Sequence, residues 1–246
     1  MKKHQDKDYL YKEFIINHRM VKDIAQECGV SIGSIEQYLK RYGIKRGNIK
    51  YRLNEAKLDT TNPIFMYYCG LISTDGYMDK AVNRVSLRCS NLGCDRVFEK
   101  IKEYLEWEGS ITKYRKCYDI TPTSSKLKEV LISVGVSPLG KIHNEFPKEF
   151  YSQDCARMFF RGLLDGDGNV REKGVFRITI SNKEYLEKFS EYVNKTLGTS
   201  TEVKPDRKYW KIEMRQHDSK VFLDWVYQGF EDFRFQDKYS VYKSFS

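Results

Sequence analysis

One stretch of this chain occurs twice, and the two copies constrain most of what the rest can be. The first is Tyr68-Cys69-Gly70-Leu71-Ile72-Ser73-Thr74-Asp75-Gly76-Tyr77. The second, 92 positions on, is Phe160-Arg161-Gly162-Leu163-Leu164-Asp165-Gly166-Asp167-Gly168-Asn169. Gly70 matches Gly162, Leu71 matches Leu163, Asp75 matches Asp167 and Gly76 matches Gly168. Each copy also places two small residues four apart, Gly70 with Thr74 and Gly162 with Gly166. On a helix that spacing puts both on one face and lets a second backbone approach closely, a rule familiar from membrane helices that applies here by analogy. If the two faces meet, Asp75 and Asp167 end side by side at two helix C-termini, where the backbone already carries partial negative charge. Two carboxylates added there are costly unless a divalent cation sits among them. Hard oxygen ligands suit Mg²⁺, and paired metals suit in-line hydrolysis of a phosphodiester by water.

The surroundings of the two copies repeat as well. Asn62-Pro63 starts a helix that should run to about Thr74, with Asn as the cap and Pro at the first helical position. Residues 84–90 alternate as a half-buried strand, with Val85, Leu87 and Cys89 on one face and Arg84, Ser86, Arg88 and Ser90 on the other. Residues 95–107 read as an amphipathic helix ended by Gly109. Residues 110–121 read as a hairpin, and 124–134 as a helix ended by Gly135. In the second half Phe176, Ile178 and Ile180 alternate with Arg177, Thr179 and Ser181, and Ser181-Asn182 matches Ser90-Asn91. The order α-β-β-α-β-β-α thus occurs twice, over residues 62–136 and 153–246, joined by a connector rich in Pro and Gly. A final aromatic-rich helix closes the tail. The fold class is α+β.

The first fifty residues differ. Residues 8–17 have helical apolar spacing. Residues 21–28 read as a short helix with Ile24, Ala25 and Cys28 on one face. Gly29 stops it, and Ser31 caps a third helix with Ile32, Ile35, Tyr38 and Leu39 facing inward. A small Ala, a Gly four on and an Ile six further resemble the helix-turn-helix pattern. That pattern implies a major-groove helix with Ser34, Gln37 and Arg41 on or near its exposed face. Residues 1–61 carry five more Lys and Arg than Asp and Glu, out of a net charge of +9 for the 246 residues. A basic balance of this size favours a polyanionic partner. Residues 45–52 read as a basic connector.

The repeated stretches resemble the LAGLIDADG motifs of homing endonucleases, with Asp75 and Asp167 at the motif's final acidic position. Two copies in one chain look like the monomeric, pseudo-symmetric class. The resemblance implies two four-stranded, antiparallel, saddle-shaped sheets that grip double-stranded DNA. It also implies cleavage of both strands across the minor groove, leaving short 3′ overhangs, with Mg²⁺ or another divalent cation as cofactor. It further implies metal ligation by the carboxylates of Asp75 and Asp167 and by the backbone carbonyls of Thr74 and Gly166. Ser73 departs from the motif, standing where the second copy has Asp165; that position caps or packs. By strand position the resemblance offers Arg88 and Thr179, with Lys113, Lys211 and Arg215, as groups to polarise the attacking water. The polar strand faces expected to meet DNA carry Arg84, Ser86, Arg88, Lys113 and Arg115 in the first half. In the second they carry Arg177, Thr179, Ser181, Lys211, Glu213 and Arg215.

Other classes fit less well. No apolar run approaches the ~20 residues that span a bilayer, and no signal-peptide core follows the N-terminus, so a soluble, intracellular, cytoplasmic protein is expected. The six cysteines form no C-x-x-C pair and read as reduced, apolar residues. A calcium loop starting at Asp165 fails, because Val170 stands where Gly is needed and Phe176 where Glu is needed. A non-catalytic DNA-binding regulator on the same scaffold and an RNA maturase for intron splicing remain as alternative functions. The retained acids speak against the first of these.

Overall fold

The computed structural model describes residues 2–16, 19, 21–44, 52–172 and 174–245. The chain divides into two units, residues 1–50 and 51–246.

In the first unit, α1 (Lys7–Tyr11) is capped by the Asp6 carboxylate, which accepts from Asp8 N at 2.8 Å and Tyr9 N at 3.1 Å. It continues as one wider π-helical turn over Lys12–Ile16. α2 (Val21–Cys28) and α3 (Ile32–Arg41) are joined by a short turn in which Gly29 takes φ +64°. A left-handed residue is needed to reverse the chain so tightly, and glycine meets that need without a Cβ clash. Ser31 Oγ accepts from Ser34 N at 3.2 Å and caps α3. Leu10, Phe14, Ile24, Ala25, Ile35 and Leu39 form the core of this unit. Ile32 does not join them and is 49% exposed. It is the first residue of α3, where the chain is still leaving the turn; Ile35 and Leu39, four apart, make the buried contact. Residues 45–51 of the basic connector lie outside the described residues.

The second unit is built on α4 (Pro63–Asp75) and α7 (Gln153–Asp167). Asn62 Oδ1 accepts from Ile64 N at 2.9 Å, and Pro63 opens α4. Every residue of α4 from Phe65 to Thr74 is buried, because the helix is covered on one side by α7 and on others by its own sheet and α5 (Cys94–Leu105). The first sheet runs β1 (Gly76–Met78), β2 (Val85–Cys89), β4 (Cys117–Ile120), β3 (Thr112–Tyr114). The second repeats the order with β5 (Gly168–Arg171), β6 (Val175–Ile180), β8 (Tyr209–Arg215), β7 (Lys204–Asp206). All pairings are antiparallel. Leu87 opposes Ile120, Phe176 opposes Met214, and Ile178 opposes Ile212, so each sheet turns one apolar face to the helices. α6 (Ser125–Ser133) and α9 (Gln216–Val226) close the halves, α8 (Lys183–Leu197) matches α5, and α10 (Gln236–Lys243) is the tail. The two halves share one continuous core. Each fully buried Leu or Phe in it contributes about 1.5–3 kcal/mol.

The first half corrects the sequence at one helix end. α5 stops at Leu105, not near Gly109. Glu106 takes the left-handed position at φ +48°, and Trp107 N returns to Lys102 O at 3.0 Å. Trp107 is then buried, and its ring fills the space where a Cβ on Gly109 would stand. The demand of the indole for burial ends the helix early. All six cysteines are free thiols, four of them buried.

Candidate active site

The small residues meet as their spacing requires. A Cβ on Gly70 would lie 2.2 Å from Phe159 O, and one on Gly162 would lie 2.3 Å from Tyr67 O and 2.9 Å from Gly70 Cα. One turn further on, Thr74 fills the gap left by Gly166: a Cβ there would be 1.9 Å from Thr74 Oγ1. α4 and α7 are therefore in backbone contact at Gly70 and Gly162 and pack Thr74 against Gly166 near their ends, where Asp75 and Asp167 emerge half-buried, with Asp75 near enough to raise the Asp167 carboxyl.

Burial raises the Asp75 carboxyl above its usual range, against the pull of Lys141 and Lys238. Asp167 is pushed up to about 6, chiefly by burial, with Asp75 adding repulsion and the same two lysines opposing it. Lys141 Nζ lies 3.9 Å from Asp167 Oδ1. Lys238 Nζ, from α10, donates to the carbonyls of Leu164 and Gly166, each at 2.9 Å, and to that of Asp165. It thus caps the C-terminus of α7, where cations are favoured. At the matching end of α4, Asn144 Nδ2 donates to Ser73 O at 2.9 Å. A cavity of about 280 Å³ opens beside Asp167, lined among others by Ser73, Lys141, Thr179, Ser181 and Tyr209.

Asp165 has a different task. Its Oδ2 accepts from Tyr67 Oη at 2.7 Å and from Phe235 N at 3.0 Å, and it is fully buried. Burial pushes its carboxyl up to about 7. Four residues earlier, Arg161, also fully buried, donates to the carbonyls of Val226 (2.8 Å), Gln228 (3.1 Å), Gly229 (2.9 Å) and Phe230 (2.8 Å). The two side chains bind the segment after α9 against α7. They fix the path of the tail that carries Lys238.

The strand-face residues are placed less simply. Their alternation holds: Arg88 is exposed and Ser86, Arg177 and Thr179 half-buried, opposite buried Val85, Leu87, Phe176 and Ile178. Most of the basic ones are held by acids. Arg88 donates two hydrogen bonds to the Asp119 carboxylate across the β2–β4 pair, at 2.6 and 2.9 Å. Arg177 donates to Asp206 at 2.5 Å, and Lys211 Nζ lies 3.8 Å from Asp206. Arg215 Nε donates to Glu213 at 2.8 Å, and Arg84 to Asp79 at 2.9 Å. Lys113 lies over the Tyr118 ring at 4.9 Å. In the first unit Gln37 and Arg41 are exposed, while Ser34 is half-buried, its hydroxyl 3.0 Å from Ser31 Oγ in the cap.

Of the water-polarising candidates, Thr179 alone lines the cavity beside Asp167; the cations at the acids are Lys141 and Lys238. Strand reasoning missed both because neither is on a strand: Lys141 opens a short helical turn in the connector and Lys238 lies on α10 in the tail. One signal was available. Each follows the glycine that ends the last helix of its half, six residues after Gly135 and nine after Gly229.

The site fits a hard divalent cation. Burial disfavours the charge of both carboxylates, Asp75 raises Asp167 further, and oxygen is the donor that both acids offer. Among the described residues no cluster of three or more His, Cys, Asp or Glu exists. Mg²⁺ characteristically binds through one or two carboxylates and keeps waters or phosphates for the rest.

Comparison with known proteins bears on the fold. Residues 154–220 match the family profile described as a LAGLIDADG-like domain. The structure of I-DmoI in complex with DNA and Ca superposes with a TM-score of 0.53 at 19% identity, over 70% of this chain and 93% of that one. Mesophilic variants of the homing endonuclease I-DmoI give 0.51 at 17% identity, over 70% and 98%. Full-length DUF199/WhiA from Thermatoga maritima gives 0.51 at 15% identity, over 77% of this chain and 65% of that chain, just under two thirds of its length. A stretch of 95 residues, 36% of this chain, is 33% identical to the pre-mRNA-splicing factor CLF1 of Candida albicans, and the chain spans only 14% of that protein's length. At these identities the solved structures speak to the fold. Among the described residues no helix is long and apolar enough to cross a membrane. With the paired helices, the twin sheets and the matched profile in place, the protein has the LAGLIDADG fold in duplicate and carries a LAGLIDADG-like domain at residues 154–220.

Proposed function

We propose that the protein is a site-specific double-strand DNA endonuclease, acting as a monomer with Mg²⁺ or another divalent cation. The observation that carries this reading is the emergence of Asp75 and Asp167 together from two helices in backbone contact, one acid from each half and so one for each strand of a duplex. Asp75 and Asp167 would hold the metal, with the Thr74 carbonyl and the remaining lone pair of the Gly166 carbonyl available beside them. When bound, the metal supplies Lewis-acid stabilisation of phosphate charge and a more acidic water. The chain itself holds the acids at fixed separation and sets Lys141 and Lys238 at their flanks. It offers the polar faces of the two sheets to the duplex. Selection of cleaved sites from a randomised duplex library in Mg²⁺ tests the reading and yields the target at once. A library left uncut, although the protein binds duplex DNA, would instead favour a non-catalytic DNA-binding role on this scaffold.

Residues 1–50 would add a tethered second contact. They have their own core, so their deletion leaves the other unit's core intact. Removing them is expected to weaken duplex binding and to flatten the dependence of affinity on salt, because phosphate contacts go with them. A titration series with an unchanged slope would show that this unit does not touch DNA.

Lys238→Met removes a charge that draws down the pKa of Asp75, Asp165 and Asp167. Without it these carboxyls titrate at higher pH, so the acidic limb of the pH–rate profile for cutting should move to higher pH. A limb that stays in place would separate Lys238 from the acids.

A further inference from the structure

The two outer hairpins turn in the same unusual way. β3 and β4 are joined by Arg115-Lys116, with Tyr114 opposite Cys117; β7 and β8 are joined by Arg207-Lys208, with Asp206 opposite Tyr209. In both, the arginine takes the left-handed backbone position, at φ +55° for Arg115 and +58° for Arg207. Two-residue hairpin turns usually give that position to Gly, Asn or Asp, because a longer side chain is strained there. Glycine meets the same need elsewhere in this chain, at Gly29, Gly135 and Gly174. Strain that recurs at twin positions, each time on an Arg followed by a Lys, points to a use for the side chains.

Their surroundings point to the same use. All four side chains are exposed. Among the described residues none of the four has a carboxylate within 4 Å, whereas Arg84, Arg88, Arg177, Lys211 and Arg215 on the strands are each paired with an acid. Most strand cations are thus offset by acids, whereas both turns carry positive charge that no carboxylate offsets, as do Lys113 over Tyr118 and Arg171 beside Asn169. Each turn also has an exposed aromatic prop. The Arg115 guanidinium lies 5.3 Å from the Tyr114 ring centre, and Lys208 Nζ lies 5.2 Å from that of Tyr209. A cation braced on a ring at a hairpin tip is extended toward solvent and has no protein partner to give up when it meets an anion.

We propose that the Arg115-Lys116 and Arg207-Lys208 turns are a matched pair of phosphate clamps. Each would grip the sugar–phosphate backbone of duplex DNA from the outer hairpin of its sheet, at points related by the chain's internal two-fold axis. This rests on the duplex-DNA reading above and adds the residues that set register on the backbone without reading sequence.

The test replaces each turn with Gly-Asn, as R115G/K116N and R207G/K208N, separately and together. A two-residue turn whose first residue alone takes positive φ favours Gly there, so the hairpins are kept and the charges removed. Melting temperature should hold or rise in every variant. In a salt series with duplex DNA of unrelated sequences, the slope of log affinity against log salt should become shallower by about 2 for each turn and about 4 for both, since each neutralised phosphate contributes about 0.9. The loss should be the same for all sequences. A wild-type slope in the double-turn variant overturns the clamps while leaving the endonuclease reading in place. A lowered melting temperature with an unchanged slope also overturns them, by showing the turns to be structural. Wild-type protein that shows no salt-dependent affinity for duplex DNA overturns the endonuclease reading and the clamps together.

Discussion

Asp75→Asn and Asp167→Asn should each abolish double-strand cutting while leaving duplex binding near the wild-type level. Asn keeps the shape of Asp and some of its oxygen but loses the charge that holds a cation, and a loss on the order of 10³-fold or more in rate corresponds to about 4 kcal/mol of transition-state stabilisation. Gel analysis of a plasmid bearing the selected site would measure it, and also show whether a single substitution still permits nicking of one strand. Undiminished cutting by either variant would sink the assignment. The same substitution carries a second, opposite effect. Asp167 has a folded pKa of about 6, above its ordinary value of 3.8. A group raised in this way binds more protons in the folded state, so its contribution to stability is full below pH ~4 and is lost as pH rises through ~6. Asp167→Asn removes that loss. Its melting temperature relative to wild type should therefore be higher at pH 7.5 than at pH 4. A difference that does not change with pH would mean that burial at this acid is not what raises its pKa. An activity that falls as stability rises is the signature of a residue kept for chemistry.

Gly162→Ala should be among the most destabilising single substitutions in the chain. The added methyl would stand 2.3 Å from Tyr67 O and 2.7 Å from Leu71 N, both backbone atoms of α4 that cannot step aside singly. Overpacking a core ordinarily costs about 1–3 kcal/mol. Here two helices must separate along their length, so a loss on the order of 4 kcal/mol or more is expected in a urea melt, with cutting lost as well. Gly166→Ala provides the contrast. Its methyl meets the Thr74 side chain, 1.9 Å from Oγ1, so adding Thr74→Ala should restore much of what Gly166→Ala loses. The same Thr74→Ala should do nothing for Gly162→Ala. Equal rescue of both would mean that the helices are not in backbone contact at Gly162.

The parts of this structure legible in the sequence are those fixed by short-range periodicity and by residues with one physical use. Asn62-Pro63 could hardly do anything but open a helix, and Val85, Leu87 and Cys89 could face only one way on a strand. The glycines made sense only as a close approach of two helices, and the helices do meet there. What escaped was decided by tertiary demands. Glu106 ends α5 because Trp107 needs burial. Ile32 is exposed because the turn, and not its spacing from Ile35, sets where α3 begins. Lys141 and Lys238 reach the acids from a connector and a tail helix whose paths depend on partners far away in sequence. For Lys238 those partners are Arg161 and Asp165 on α7 and Leu92, whose carbonyl accepts from Gln236 N at 2.8 Å. The acid–base pairing on the strand faces was invisible for the same reason: Arg88 and Asp119 are opposite one another only once the register is known.

The fit of Thr74 against Gly166 bears on history. Two copies of the first half, brought together about the same axis, would set Thr74 against Thr74, where even a methyl in place of Gly166 comes within 1.9 Å of the threonine oxygen. Two copies of the second half would set glycine against glycine and leave a void. The halves have become lock and key at this layer, each carrying a residue that only the other can accommodate. A gene cut between them would no longer yield a subunit able to rebuild the helix pair with a second copy of itself. Fusion of the halves has thereby become irreversible, and each is free to diverge from the other.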